Sequence, residues 1–221
     1  MKSVRWPAVA PMVPPALAFV AGFADASTFV AAHGIFSAHA TGNLVVLATD
    51  LARGGRPNDW LKVLTFPVFF VAVIGTVRLE ELLRPCSLLA AQALLGTEVA
   101  LLGAAATVGF VDVASQSWVS HGAAVLLTVA ALAVQNTFQR FAPQLGPMTT
   151  VMTGNLVHWL TQVSRRRRIP DDERAKLRAL DRLLLAFTLG CIVGAVATTK
   201  LGFVALGIPA VVVVAARAAL R

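Results

Sequence analysis

Thr41-Gly42-Asn43-Leu44-Val45 recurs, residue for residue, as Thr153-Gly154-Asn155-Leu156-Val157. The likeness extends upstream. Ala21-Gly22-Phe23-Ala24-Asp25 precedes the first copy, and Leu132-Ala133-Val134-Gln135-Asn136 precedes the second, so Asp25 corresponds to Asn136 with one residue of slack. Downstream of each copy comes a basic connection (Arg53, Arg56 and Lys62; then Arg165 to Arg168) and two further apolar segments. The pattern predicts a duplication: a first half over 14–109, a connection over 110–118, and a second half over 119–217 that includes a basic stretch at 164–182. Internal repeats of this size are a common transporter architecture.

Composition fixes the solvent in which these halves sit. The chain has 221 residues, 57% of them hydrophobic and 14% charged, and a mean hydropathy of +0.74. Soluble domains carry about 25% charged residues, so the chain lacks the polar surface a water-facing globule needs. Its apolar residues form blocks at 14–33, 38–52, 61–79, 86–109, 119–139, 148–163, 182–199 and 202–217. A bilayer span takes roughly 20 apolar residues. The predicted fold is therefore an all-α polytopic transmembrane bundle of six to eight membrane helices. Abundant small residues, including Gly190 and Gly194 in a Gly-x-x-x-Gly arrangement, suit close helix packing in lipid.

The net charge of +8 raises the question of nucleic acid. The basic residues lie between apolar blocks, where they set membrane topology, so no nucleic-acid partner is expected. Lys2 and Arg5 ahead of an apolar run resemble a signal peptide, but prolines at 7, 11, 14 and 15 interrupt it and the repeat makes 16–33 part of the body. Pro170 followed by Asp171, Asp172 and Glu173 predicts the start of a short interfacial helix, with acids in its first turn and bases later. Arg165 to Arg168 read as a topology anchor, with anionic headgroups as the functional alternative. Cys86 and Cys191 form no disulfide framework, and neither shows metal-ligand spacing.

Charge counting does not decide the number of spans. Eight spans with the N-terminus inside leave only Arg78, Arg84, Arg140 and Lys200 of the 19 basic residues outside. If 38–52 and 148–163 are re-entrant, Arg53, Arg56 and Lys62 exchange sides with Arg78, Arg84 and Arg140, and the tally is unchanged. Both schemes place both termini in the cytoplasm. The two motif-bearing segments are about 15 residues long, short for a span. A short helix still crosses if its ends are buried among neighbours, and the balance leans slightly to eight crossings.

Candidate solute- or ion-path residues follow from polarity inside apolar segments. Asp25 costs about 2.5–3.5 kcal/mol on insertion scales at mid-helix, so it faces protein or water and needs a partner; a transport role and a buried interhelical hydrogen bond both fit. Arg140, one turn after Asn136, is the proposed counter-ion. Glu98, in the middle of 86–109, is either a second proton or cation site or a hydrogen-bond partner of Thr97. Gln135, Asn136 and Gln139 share one helix face. In the motifs, Thr41, Asn43, Thr153 and Asn155 supply donors and acceptors while glycine admits close approach. They either present a helix N-terminus to a solute or cap the short helices and lock them to neighbours. His33, His39 and His158 match no zinc signature, so capping or interfacial roles are expected.

The Phe-Ala-Asp-Ala-Ser run at 23–27, followed by Ala-Thr-Gly-Asn, then Gln-Asn and Met-Thr-Gly-Asn, resembles the YoaK-type family of bacterial multi-pass membrane proteins, over about residues 14 to 217. That resemblance implies a bacterial inner-membrane location and carries no established substrate. From the residues, the leading expectation is a small-solute transporter or permease with a polar path between the halves. The alternative is a non-transporting membrane protein involved in assembly or lipid sensing. No catalytic signature is present, so neither an enzyme nor a cofactor or bound metal is expected. The bilayer, a small polar or ionic solute and a second copy of the chain are the expected partners.

Overall fold

Long apolar runs make the helices of this chain, and the breaks between them decide what meets inside. The computed structural model describes residues 6, 10–55, 59–115, 117–164 and 171–220. Its helices are α1 (Val13–Ala31), α2 (Ala40–Ala52), α3 (Asp59–Leu83), α4 (Ser87–Ser115), α5 (Trp118–Phe141), α6 (Met152–Ser164), α7 (Asp171–Leu201) and α8 (Gly207–Ala218). Short 3-10 turns, Pro143–Leu145 and Gly202–Leu206, precede α6 and α8. There is no strand among the described residues. Pro14 and Pro15 open α1, where a missing N–H is harmless, and Pro67 is accommodated inside α3.

Among the described residues, five helical stretches are long and apolar enough to cross a bilayer, the last being Arg174–Ala218. The chain is a polytopic helical membrane protein. That last stretch is not straight. Gly202, with φ +60°, breaks it, and α8 runs back along α4: Phe203 lies against Gly109, while Gln92 Nε2 donates to the Arg217 carbonyl at 3.0 Å. The α7 limb and the α8 limb thus run in opposite senses.

Contacts define two ends of the bundle. At the upper end Asp112 of α4 meets His121 of α5 at 3.1 Å, and Phe203 packs its ring on His121. The lower end carries Arg84 and Arg217. α1 rises through the centre, most of its residues buried. α7 rises beside it in parallel, with Gly190 against Phe19, Gly194 against Phe23, and Thr198 donating to Ser27 at 2.8 Å. A Cβ on Gly190 would come within 2.2 Å of the Phe19 carbonyl oxygen, and one on Gly194 within 2.5 Å of that of Phe23. The Gly-x-x-x-Gly pair is a helix contact, made through backbone.

α8 has only 12 residues, but the turn Gly202–Leu206 leads straight into it along α4; α2 and α6 have no such extension. At 13 residues each, α2 and α6 are about 20 Å long, well short of a hydrocarbon core of about 30 Å. After α1 ends at the upper end, the chain turns through His33 (φ 53°) and Gly34 (φ 93°) and descends as an irregular limb. α2 then climbs back, Asn43 meeting Thr65 and Asp50 meeting Lys62 near the start of α3. α6 does the reverse: it starts inside the bundle and runs to the lower end, where Trp159 Nε1 donates to Asp181 of α7 at 2.5 Å. By length five stretches qualify as spans among the described residues, and α2 and α6 do not, which sets them apart from the eight full crossings that the sequence slightly favours.

Two further expectations change. The basic stretch after Pro170 forms no separate helix; it is the first part of α7, anchored by the buried apolar positions Leu177, Leu180 and Leu183. Arg165 to Arg168 lie outside the described residues. Lys62, counted as a topology charge, is 2% exposed and bonds Asp50 and Asp59 at 2.7 Å each, so it brings no net positive charge to the upper end. Cys86 and Cys191 are both free.

Candidate functional site

The two limbs that lead into α2 and α6 are tied down by the same device. Asn43 Oδ1 accepts the Phe36 N–H at 2.7 Å, and its Nδ2 donates to the Phe36 carbonyl at 3.0 Å. Asn155 Nδ2 donates to the Met148 carbonyl at 2.8 Å. In both, the motif asparagine clasps the backbone seven residues upstream. A buried irregular limb has no helical partner for most of its amides and carbonyls, and such groups must be satisfied inside a membrane. The asparagines supply that, so they lock the limb rather than cap the helix: His39, at the α2 N-cap, makes no side-chain capping bond.

Asp25 performs the same service for the first limb. Its Oδ1 accepts from the Ser37 amide at 2.8 Å, the Ser37 hydroxyl at 3.1 Å and the Ala38 amide at 2.6 Å, while Oδ2 pairs with His39 Nδ1. The carboxylate is 4% exposed. The expected counter-ion Arg140 is not its partner. Four donors from residues 37–39 occupy the carboxylate, and Arg140 lies exposed on the wall of a cavity instead.

In the second limb Thr149 is the anchored residue. Its amide donates to Gln139 Oε1 at 2.9 Å, and its hydroxyl accepts from Gln139 Nε2 and, at 2.9 Å, from Gln135 Nε2. Gln135 also donates to the Leu17 carbonyl at 3.0 Å, joining α5 to α1. Thr150 Oγ1 donates to Asn136 Oδ1, and Asn136 Nδ2 reaches the Ala38 carbonyl at 3.4 Å. Asn136 thus touches both limbs. It is Gln139, not Asn136, that accepts a limb amide as Asp25 does.

The limbs meet. Residues 38–41, 148 and 150–153 share one cavity of about 680 Å³ with Asn136, Thr137 and Arg140 of α5, and with Phe69, Val73 and Val77 of α3. Thr41 and Thr153 line it symmetrically, one from each short helix. Residues 15–219 match a family model described as a protein of unknown function, DUF1275. The chain belongs to that family. No curated protein and no solved structure matches it.

Within this DUF1275 chain the polar residues expected on a path divide into two sets. Thr41, Asn136, Thr153 and Arg140 face the cavity. Asn43, Asn155, Asp25, Gln135 and Gln139 stand behind it, buried and bonded to the limbs. Glu98 belongs to neither: it is fully buried on α4, and both carboxylate oxygens lack a partner. Thr97 does not serve it, since its hydroxyl donates to the Ala93 carbonyl. Ser37, Thr149 and Thr150 are not marked by embedded polarity in the sequence, and His39 is marked only for a capping or interfacial role. Counting back from the two Thr-Gly-Asn copies would have aligned Ser37-Ala38 with Thr149-Thr150 and marked them as limb residues.

Proposed function

We propose that this DUF1275 protein is a small-solute permease of the bacterial inner membrane, whose path runs through the cavity between the two limbs. One observation carries the reading. Two half-length helices start inside the bundle, run to opposite ends, and turn their first residues toward a common cavity, where Thr41, Thr153, Asn136 and Arg140 stand among mostly apolar lining residues. Irregular backbone at membrane depth is tolerated only where it is buried in protein or lines a cavity, and discontinuous helices that meet near the midplane are how many transporters build a solute site.

The packing supports an inverted repeat. α1, α2, α3 and α4 correspond to α5, α6, α7 and α8, and each pair runs in opposite senses. α1 packs on α7 as α5 packs on α3, and α2 lies on α3 as α6 lies on α7. In this arrangement the two hairpins are re-entrant from opposite membrane faces. The lower end is assigned to the cytoplasm, because only Arg53, Arg56, Lys62 and Lys200 belong to the upper end in the six-pass scheme, and Lys62 is neutralised there.

The test is flux. Proteoliposomes are challenged with gradients of glycerol, urea and sodium chloride, and volume recovery is followed by light scattering. Flux above that of empty vesicles that is lost on Thr41→Trp and Thr153→Trp, with folding retained, supports the permease. Folded protein that conducts none of these probes, or tryptophan variants that conduct unchanged, defeats the cavity as the path. The non-transporting alternative draws support from the basic lower end, where His158, Lys176 and Arg182 border a cavity of about 490 Å³. It predicts binding to anionic vesicles with no flux.

A further inference from the structure

Among the described residues, three buried side-chain oxygens lack a hydrogen-bond partner: Oε1 and Oε2 of Glu98, and Oε1 of Gln135. α4 and α5 are antiparallel, and Asp112 meets His121 across them at 3.1 Å. Fourteen residues back along α4 is Glu98, and fourteen forward along α5 is Gln135. Both helices are continuous over that length. Fourteen residues make close to four turns, about 21 Å, so each step returns to nearly the same helix face at the same depth. The helices have not parted there, since Leu94 and Leu101 share a cavity wall with Ala130 and Val134.

The orientation of the Gln135 amide is fixed by chemistry. Its Nε2 donates to the Leu17 carbonyl, which can only accept, so Oε1 is the atom left facing elsewhere. It needs a donor. A buried ionised carboxylate without a partner is far costlier than its neutral form, and a neutral carboxyl owns one O–H donor. One proton therefore satisfies both orphaned groups.

Among the described residues, no other charge competes for Glu98 from the elements packed on α4. On α3, Lys62 bonds Asp59 and Asp50, Arg78 bonds Glu81, and Arg84 just beyond the helix bonds Glu80. On α5, His121 is held by Asp112 and Arg140 lines the limb cavity. On α8 the one charged group is Arg217, whose guanidinium lies over Gly96 and makes no hydrogen bond to Glu98. The turn Gly202–Leu206 carries no titratable side chain.

We propose that Glu98 is a proton-binding site whose carboxyl donates to Gln135 Oε1, and that losing this proton releases the second limb. Deprotonation sets two acceptors against each other. The amide then turns its Nε2 toward Glu98 and lets go of the Leu17 carbonyl and the Thr149 hydroxyl, leaving Thr149 to Gln139 alone. The proton is thereby linked to the limb that carries Thr150 and Thr153 into the cavity. The link to solute movement rests on the permease reading; the proton site does not.

Two measurements test it without a known solute. In infrared spectra of the purified protein at neutral pH, a protonated-carboxyl band that shifts in deuterated water should be present and should vanish in Glu98→Gln. In Gln135→Leu the band should move to higher frequency, because its acceptor is gone. No band assignable to Glu98, or a band unmoved by Gln135→Leu, overturns the site. For the coupling, Thr150→Cys is placed in a Cys86→Ser, Cys191→Ser background and alkylated with a maleimide. Its rate relative to the same cysteine in Glu98→Gln, a ratio in which the thiol's own ionisation cancels, should rise several-fold from neutral to alkaline pH as the band is lost. A flat ratio with the band titrating overturns the coupling and leaves the permease reading to its own flux test.

Discussion

Asp25 Oδ1 accepts the backbone N–H of Ala38 at 2.6 Å, fastening the middle of the central helix to the turn from which α2 departs. An acidic residue inside an apolar helix is a costly choice in lipid. Here its cost is offset by four donors that would otherwise be unsatisfied in the same environment. The limb needs the acid as much as the acid needs the limb.

Removing that anchor should loosen the first limb. Asp25→Ala leaves two buried amides and the Ser37 hydroxyl without an acceptor, and a loss of about 2–5 kcal/mol of stability is expected. Asp25→Asn keeps one acceptor oxygen and loses mainly the His39 pairing, so it should cost clearly less. Thermal unfolding in detergent ranks the two. Equal losses would show that the amide bonds to residues 37 and 38 contribute nothing.

The two motif asparagines should be unequal. Asn43 serves both the N–H and the carbonyl of Phe36 and also donates to Thr65 at 3.2 Å, whereas Asn155 makes its backbone bond to Met148 and a long contact with the Met152 sulfur at 3.9 Å. Each alanine substitution should cost about 1–3 kcal/mol, with Asn43→Ala the larger. Limited proteolysis of the hairpins, compared between variants, reads the local loosening. A more protected limb in Asn43→Ala than in Asn155→Ala contradicts the ranking.

Close approach of α1 and α7 depends on three glycines. Gly22, Gly190 and Gly194 each face backbone carbonyl oxygen at 2.5 Å or less from an added Cβ, and backbone cannot yield as a side-chain tip can. Gly194→Val should therefore force the helices apart and cost at least the 1–3 kcal/mol typical of overpacking. Gly75 and Gly103 have nothing within 4 Å, and alanine there should be neutral or slightly stabilising, given its better helix propensity. Unfolding of the three variants side by side checks the contrast.

The membrane bundle and the paired motifs were legible because both are written locally, in runs of apolar residues and in a repeated pentapeptide. Partner choice was not. Asp25 looked to Arg140 because the sequence offers that opposite charge near its equivalent, but the fold brings 37–39 closer. Asn136, the sequence counterpart of Asp25, bonds both limbs, but the acceptor of the Thr149 amide is Gln139, three residues farther along α5. The continuity of α7 through its basic start was hidden by charge, which marks a boundary in a hydropathy reading but does not stop a helix. The pairing proposed for Glu98 and Gln135 rests only on three-dimensional register, counted from the Asp112–His121 contact.

Topology is the sharpest remaining measurement, since charge counting gives the same tally for six and eight spans. With both native cysteines changed to serine, single cysteines at Arg53, Leu82 and Ala142 report the three informative connections. Leu82 is 78% exposed near the end of α3, and Ala142 follows α5 directly, both at the lower end. Arg53 closes α2 at the upper end, beside the buried Asp50–Lys62 pair. Six passes with two re-entrant hairpins predict that Arg53→Cys is labelled by a membrane-impermeant maleimide added to whole cells opened only at the outer membrane. Leu82→Cys should be labelled only after the inner membrane is permeabilised. Ala142 is 1% exposed, so Ala142→Cys should react slowly, and again only from the cytoplasmic side. Eight full crossings predict the reverse at all three positions. Labelling of Leu82→Cys from outside would overturn the inverted arrangement, and with it the meeting of two hairpins from opposite faces on which the permease reading stands.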